Sequence, residues 1–571
     1  MHGLQYARRT QHHTGLLGRL TNMIVKTTGE QALPSLPVEQ WHALFATRHP
    51  KVERFLLLTY GDDAGLRDAK RDEYLTALDH YTRNYGPGDD VFIVRSPGRI
   101  NLMGSHVDHR GGDVNVVAIS DECIAVVSPR DDDIVELSNS MPDRFADNTF
   151  SIGDLAASLD MHDWNTCVNS PKTLALVNDG DWDNYIKAAT MRLQQRFSDR
   201  KLRGMRMCVQ SNIPIGSGLS SSSAIVVATA EACVAVNDLD VQPNLLVDLC
   251  GEGEWFVGTR GGSGDHAAIK LGRRGEVANI GFFPFEVKGF VPFPEGYRIV
   301  IVNSGVAAKK MKGARARYNA TIFAYVIGEA LFKLTYPEHA DKIQHLRDIS
   351  PEHLGVSDSE LYSMLRAIPE MVSYRADIEP LWDRLGKMDR ERIEGLLATA
   401  VPEDEPLEVR NILLYGVSEV RRSRLCSEFL AAGELERFGR MAYTSHDGDR
   451  VVWHDDEFKP HPWTYQATDS LLQQLESRAN SEEPSLRETA RLHWQPGRYA
   501  CSIPKIDLIV DIARRMPGVL GAQIAGAGLG GCAMAFVEED RCEEVVARYR
   551  ESGFEARVYS PVQGADVVDL G

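Results

Sequence analysis

The sequence predicts a mixed protein of α/β or α+β type with two or more domains, and three observations carry that expectation. At 571 residues the chain is too long for one compact core. Between about 90 and 290, short β-branched runs alternate with apolar helical stretches. Hydrophobic residues make up 43% of the chain and charged residues 25%, which is ordinary for a globular protein and excludes disordered and fibrous classes.

The elements follow in order. Residues 1–85 are polar and amphipathic, with helical spacing in Trp41, Leu44 and Phe45 and again in Tyr74, Leu75 and Leu78, so a mostly helical N-terminal extension is expected. The turn cluster Tyr85-Gly86-Pro87-Gly88-Asp89-Asp90 closes it. "VFIVRSP" then reads as a short strand ended by Pro97-Gly98, within a first main domain over 86–290. "YRIVIVNS" (297–304) is a strand near the start of a second, over 291–571. Helical periodicity dominates 320–435, and 450–497 is polar and reads as a solvated piece, so helical insertions are expected at about 335–430 and 450–495. "SIPKIDLIVDIARRM" is an amphipathic helix, and "VLGAQIAGAGLGGCAMAFV" sets glycines between two strand-like runs.

Charge narrows the class. Lys and Arg number 63 against 81 Asp and Glu, a formal charge of −18, which offers no net positive field to nucleic acid or a membrane surface. No stretch approaches the roughly 18 apolar residues of a membrane span, and "TGLLGRLTNMIV" is too interrupted for a signal-peptide core. Nine cysteines without CxxC or other metal-ligand spacing point to reduced thiols. A cytoplasmic protein is expected.

Three polar, glycine-rich clusters carry the chemistry. The middle one is Pro214-Ile215-Gly216-Ser217-Gly218-Leu219-Ser220-Ser221-Ser222-Ser223-Ala224, followed by the apolar run "IVVATAEACVAV". Glycines permit close backbone approach, and serines at the start of a buried helix make a phosphate site. There is no GK[ST] ending, so this is not a Walker loop. The first cluster, Ser96 to Gly112, compresses Arg99, His106, Asp108 and His109 between glycines, a set suited to a polyhydroxylated ligand. The third, Gly526-Ala527-Gly528-Leu529-Gly530-Gly531, fits GxGxxG, but "CAMAFV" after it is a strand, so the dinucleotide fingerprint lacks its helix. A second backbone loop pressing on phosphates, or a glycine-packed hairpin, fits better.

In this order the three clusters resemble the GHMP kinases, and most nearly the galactokinase branch. "PGRINLMGSHVDHRGG" resembles the sugar signature PGRxNLxGEHxDYxxG, "PIGSGLSSSSA" the ATP loop PxGxGLSSSA, and "AGAGLGGC" the third motif TGGGFGGC. The resemblance implies a two-domain α+β GHMP kinase fold, with a ribosomal S5 domain 2-like N-terminal domain, a ferredoxin-like C-terminal domain and the active site between them. It also implies ATP-dependent phosphorylation of a sugar at its anomeric hydroxyl with Mg2+, the partners being ATP and a galactose-configured sugar.

The roles it implies are specific. Asp265, in "GTRGGSGDHAAIKLG", falls where the family's "GIMDQ" places its catalytic aspartate, and Arg99 matches the motif arginine beside it. Ser105, His106, Asp108, Gly262 and Tyr318 fall at sugar-binding positions. Pro214, Gly216, Ser217, Gly218, Leu219, Ser220, Ser221 and Ser222, with Gly528 and Gly530, fall at the ATP site. Ser222 matches the magnesium-ligating hydroxyl, although a fourth serine lets Ser223 take its place, and of Glu252 and Glu254 the second is favoured as the metal carboxylate.

Ser105 stands where galactokinases have Glu, which in the family reaches the C6 hydroxyl. "GSHVDHRGG" is similar to "GAHIDHQGG" of plant galacturonokinases, so galactose, galacturonate and the pentose arabinose are all candidate substrates. The altered serine count and displaced glutamate also raise a second reading, a non-catalytic sugar- and ATP-binding sensor.

Overall fold

Two main sheets and a helical body, with a small two-stranded ribbon, organise the described residues of the computed structural model, which are 35–177, 181–258, 261–307, 312–400 and 406–571. The larger sheet has nine strands among the described residues. Its spine is the antiparallel pair Asp90–Met103 and Val114–Pro129. Met205–Ser211 and Ile134–Asn139 extend it on one side, the latter pair parallel. Glu276–Gly281 and Glu286–Pro292 join along Val114–Val116.

The strand expected to end at Pro97-Gly98 instead continues to Met103, with its register shifting between Pro97 and Arg99. An irregularity of this kind accommodates proline in a ladder and re-aims the next side chain, which here is Arg99. Gly98 lets the Leu219 carbonyl approach closely there, since a Cβ would lie 3.0 Å from it.

The helices Val38–Ala46, Pro50–Tyr60 and Ala64–Tyr85 cover one face of this sheet. Trp41, Phe45, Tyr74 and Leu78 bury against Val91, Ile93, Ile124 and Val126, and Asp63 caps the third helix through Leu66 N. Residues 1–34 of the expected extension lie outside the described residues. Packed against both spine strands, the helix Ser221–Asn237 is buried on nearly every side, as its apolar sequence requires.

In the second sheet the order is Val519–Ile524, Cys532–Glu538, Tyr297–Asn303, Glu555–Tyr559, all antiparallel. The helices Pro504–Ala513 and Cys542–Glu551 pack on it through Ile506, Val510 and Val545. Strand–helix–strand–strand–helix–strand in this order is the ferredoxin-like arrangement.

The first crossover of that unit, between Asn303 and Pro504, is expanded into the helical body. Its longest helices are Lys312–Thr335 and Val409–Ala432, and its core includes Phe323, Phe332, Tyr362, Leu413, Leu472 and Tyr499. The stretch 450–497 is less solvated than its composition suggests. Leu472, Leu475 and Leu492 enter that core, and buried Arg450 reaches Asp511 at 2.8 Å. The helix Val409–Ala432 also touches the larger sheet, where Asn115 Nδ2 donates to the Ser423 carbonyl at 2.7 Å.

Candidate active site

Arg99 is where the three sequence clusters meet. It leaves the irregular turn of its strand 7% exposed and grips Asp265 with both arms of its guanidinium, Nε to Oδ1 at 2.7 Å and Nη2 to Oδ2 at 2.9 Å. Its remaining nitrogen, Nη1, donates to the Gly218 carbonyl at 2.7 Å and the Ala525 carbonyl at 3.2 Å. Bidentate charge-assisted pairs are strong and geometrically fixed, so this one residue aligns the carboxylate, the serine loop and the third glycine loop. Asp265 sits in the first turn of the helix Gly264–Leu271 with its side chain 40% exposed, open to a ligand.

The serine loop depends on positive φ. Gly216 (68°) and Gly218 (82°) supply it, and Ser220 adopts 61° as the cap residue before Ser221. Ser220 Oγ donates to Asp265 Oδ2. Ser221, Ser222 and Ser223 form the first turn of a 17-residue helix whose N–H groups and dipole favour an anion. The third glycine loop packs directly on this one. Cys532 N donates to the Ser217 carbonyl at 2.7 Å, and a Cβ on Gly526 would lie 2.6 Å from the Gly218 carbonyl. Gly528 (φ 88°) and Gly530 (φ 132°) admit no side chain, since a Cβ would meet the carbonyls of Cys501 at 2.3 Å and Ala307 at 2.7 Å. The loop leads straight into the strand Cys532–Glu538, so it is a glycine-packed hairpin beside the serine loop.

On the far side of Asp265 lies the first cluster. Asp108 Oδ2 faces Gly262 and Gly264, where Cβ atoms would fall 2.6 and 3.1 Å from it, so Gly262 keeps this space open. Burial opposes ionisation of Asp108, but hydrogen bonding and attraction from His109 outweigh it and hold the carboxyl below its ordinary range. His109 is itself pushed down, first by burial. His106 has φ 62° and stacks on Tyr499 at 4.3 Å, with Nε2 turned toward Asp449 and Cys501. Tyr318 lies on the helix Lys312–Thr335, but its side chain is outside the described residues.

Ser105 is buried, and beneath it is a residue the sequence reading missed. Glu419 Oε1 accepts from Gly104 N at 2.8 Å and Ser105 N at 3.0 Å, while Oε2 accepts from Arg422 Nε at 2.6 Å. Glu419 and Arg422 are fully buried. A carboxylate therefore does stand at this loop, supplied by a distant helix and neutralised by its own arginine. No sequence signal marked it.

The residues offered for a divalent cation lie at the start of the helix Ser221–Asn237 and beside it. Ser223 Oγ donates to Glu254 Oε2 at 2.9 Å, and His266 Nε2 lies 3.0 Å from the same oxygen. Ser222, the hydroxyl matched by counting, is about 100° around the helix from Ser223. Glu252 is occupied elsewhere, by Arg192 Nε at 2.8 Å. A hydroxyl and a buried carboxylate are the hard oxygen donors that Mg2+ takes.

Comparison with known proteins gives the family. The description "GHMP kinases N terminal domain" matches residues 184–273, and "GHMP kinases C terminal" matches 471–554. The chain belongs to the GHMP kinase superfamily. The "Galactokinase galactose-binding signature" matches 79–129 and places it in the galactokinase branch, a GHMP-family carbohydrate kinase. It is similar to galactokinase of Dictyostelium discoideum, 23% identical over 81% of this chain and 84% of that one. It is 27% identical to galactokinase of Limosilactobacillus fermentum over 84% and 94% respectively. Lactococcus lactis galactokinase complexed with galactose shares the fold, with a TM-score of 0.57 and 21% identity over 86% of this chain and all of that one. Among the described residues no helix is long and apolar enough to cross a membrane.

Proposed function

We propose that this kinase transfers the γ-phosphoryl group of ATP to the anomeric hydroxyl of a galactose-configured sugar. One observation carries the reading: the Arg99–Asp265 pair sits at the mouth of the serine loop, with Asp108 beside it. Asp265 is the group to accept or orient the proton of the C1 hydroxyl. Arg99 fixes its carboxylate by the two-armed pair and offsets charge spreading over the transferred phosphoryl. The helix N-terminus at Ser221 and the loop from Pro214 to Ser220 cradle the phosphates, and anionic Asp108 accepts from sugar hydroxyls at the space that Gly262 keeps open. Ser223 and Glu254 would hold Mg2+, which when bound draws charge from the phosphate oxygens.

Galactose is the sugar that the relatives' names and the signature support. Galacturonate and arabinose are its competitors, because Ser105 carries no charge and Glu419 is neutralised by Arg422. ATP consumption with galactose, galacturonate, arabinose and glucuronate tests the reading. Turnover of one or more of the first three, with the phosphate on C1, is expected; no turnover of any of them overturns it.

A further inference from the structure

The sequence holds no metal-ligand spacing, yet folding brings three ligand types from three distant segments to one buried point. His106 Nε2 lies 3.3 Å from Cys501 Sγ and 3.4 Å from Asp449 Oδ1, and Cys501 Sγ lies 3.4 Å from that same oxygen. All three residues are buried. A tetrahedral ion with bonds of about 2.0 Å to N and O and 2.3 Å to S separates its ligand atoms by about 3.3–3.5 Å. The observed triangle matches one face of that tetrahedron.

The electrostatics point the same way. Asp449 is fully buried, and its side-chain partners among the described residues are His106, Cys501 and Tyr415 Oη, each at 3.4 Å. A buried carboxylate without a close cation or short hydrogen bond is costly. A divalent ion bound by one thiolate, one carboxylate and one neutral imidazole makes a site of zero net charge.

We infer that His106, Asp449 and Cys501 form a binding site for a zinc-class divalent cation, distinct from the Ser223–Glu254 pair. Mixed N, S and O donors at tetrahedral spacing select Zn2+ over Mg2+. Binding moves one proton from the Cys501 thiol to solvent, and His106 presents Nε2 with its proton on Nδ1. The ion ties the loop around Ser105 and His106 to the end of the helix Leu435–Asp449 and to the segment before Pro504, so it acts as a strut beneath the sugar loop.

The test uses the full chain, stripped with chelator and titrated with Co2+ as a spectroscopic probe. One equivalent per chain is expected, with a thiolate-to-cobalt band in the near ultraviolet, tetrahedral visible bands, displacement of both by Zn2+, and a higher Tm. Cys501→Ser should remove the near-ultraviolet band and the Zn2+ effect on Tm while leaving the Mg2+ dependence of turnover intact. A wild-type chain that shows no such bands holds only a hydrogen-bonded Cys–His–Asp cluster, and the inference falls. It falls equally if Cys501→Ser binds cobalt with the wild-type spectrum. Should that variant not fold, the wild-type spectrum decides alone.

Discussion

Glu419 and Ser105 are 314 positions apart in sequence and 3.0 Å apart in space, the carboxylate accepting the backbone N–H of a loop in the candidate sugar site. Its other oxygen is held by Arg422, and neither charged side chain reaches solvent. Breaking one side of a buried ion pair typically costs about 3–5 kcal/mol. Glu419→Gln is therefore expected to lower the urea midpoint by a corresponding amount and to raise KM for the sugar. Adding Arg422→Met should recover part of the stability, because the stranded cation is removed with its partner. A single variant as stable as wild type contradicts this account of the loop.

Ser105→Glu places a second carboxylate at the same loop. Like charges about 4 Å apart near a protein surface repel by up to about 4 kcal/mol. The ratio of kcat/KM for galactose over galacturonate should rise at least about tenfold, since 1.4 kcal/mol is a factor of ten. An unmoved ratio means that position 105 does not face C6.

The Ser223–Glu254 contact separates two adjacent hydroxyls. Ser223→Ala should raise the Mg2+ concentration for half-maximal rate by about tenfold or more, and Ser222→Ala by clearly less. The reverse order would return the metal to the hydroxyl matched by counting serines.

Stability should fall with acid through two histidines of the helical body. Burial first, then Arg392 and Arg347, push His345 down to about 4. Burial first, then Arg422 and Arg421, push His493 down to about 3. Unfolded histidine takes its proton near 6.5 while the fold refuses it, so the unfolded state binds more protons and stability rises with pH. This contribution is complete above 6.5 and drains as pH falls toward 4 and 3, at up to about 1.4 kcal/mol per pH unit for each proton. Urea midpoints at pH 7, 6 and 5 measure it, and His493→Gln should flatten the slope. An equal slope in the variant contradicts the assignment.

What the sequence made legible is what is local. The serine loop, the Arg99 cluster and the glycine hairpin each lie within a short stretch, and their glycines mark backbone turns that only those residues make easily, as at Gly218 with φ 82°. The choice between Ser222 and Ser223 was not legible, because it turns on where the helix begins. Ser220 turns left-handed as its cap, so Ser223 is the third residue of the helix and meets Glu254. Glu419, Asp449 and Cys501 carried no signal at all. They meet the first cluster through the tertiary packing of the expanded crossover of the second sheet, where Tyr415 and Tyr499 pack against His106. The polar stretch 450–497 misled for a related reason: its leucines at helical spacing are few, and composition averaged over the segment hides them.

Position-resolved product analysis of Asp265→Asn tests the central claim most directly. Wild-type protein with Mg-ATP and galactose should yield a single phosphorylated sugar with phosphorus on the anomeric oxygen, read by phosphorus magnetic resonance. The variant should still bind both substrates while its turnover falls by about 10²–10⁴, the span expected for a lost general base. Wild-type turnover in Asp265→Asn, or phosphate on any oxygen other than that of C1, would contradict the account.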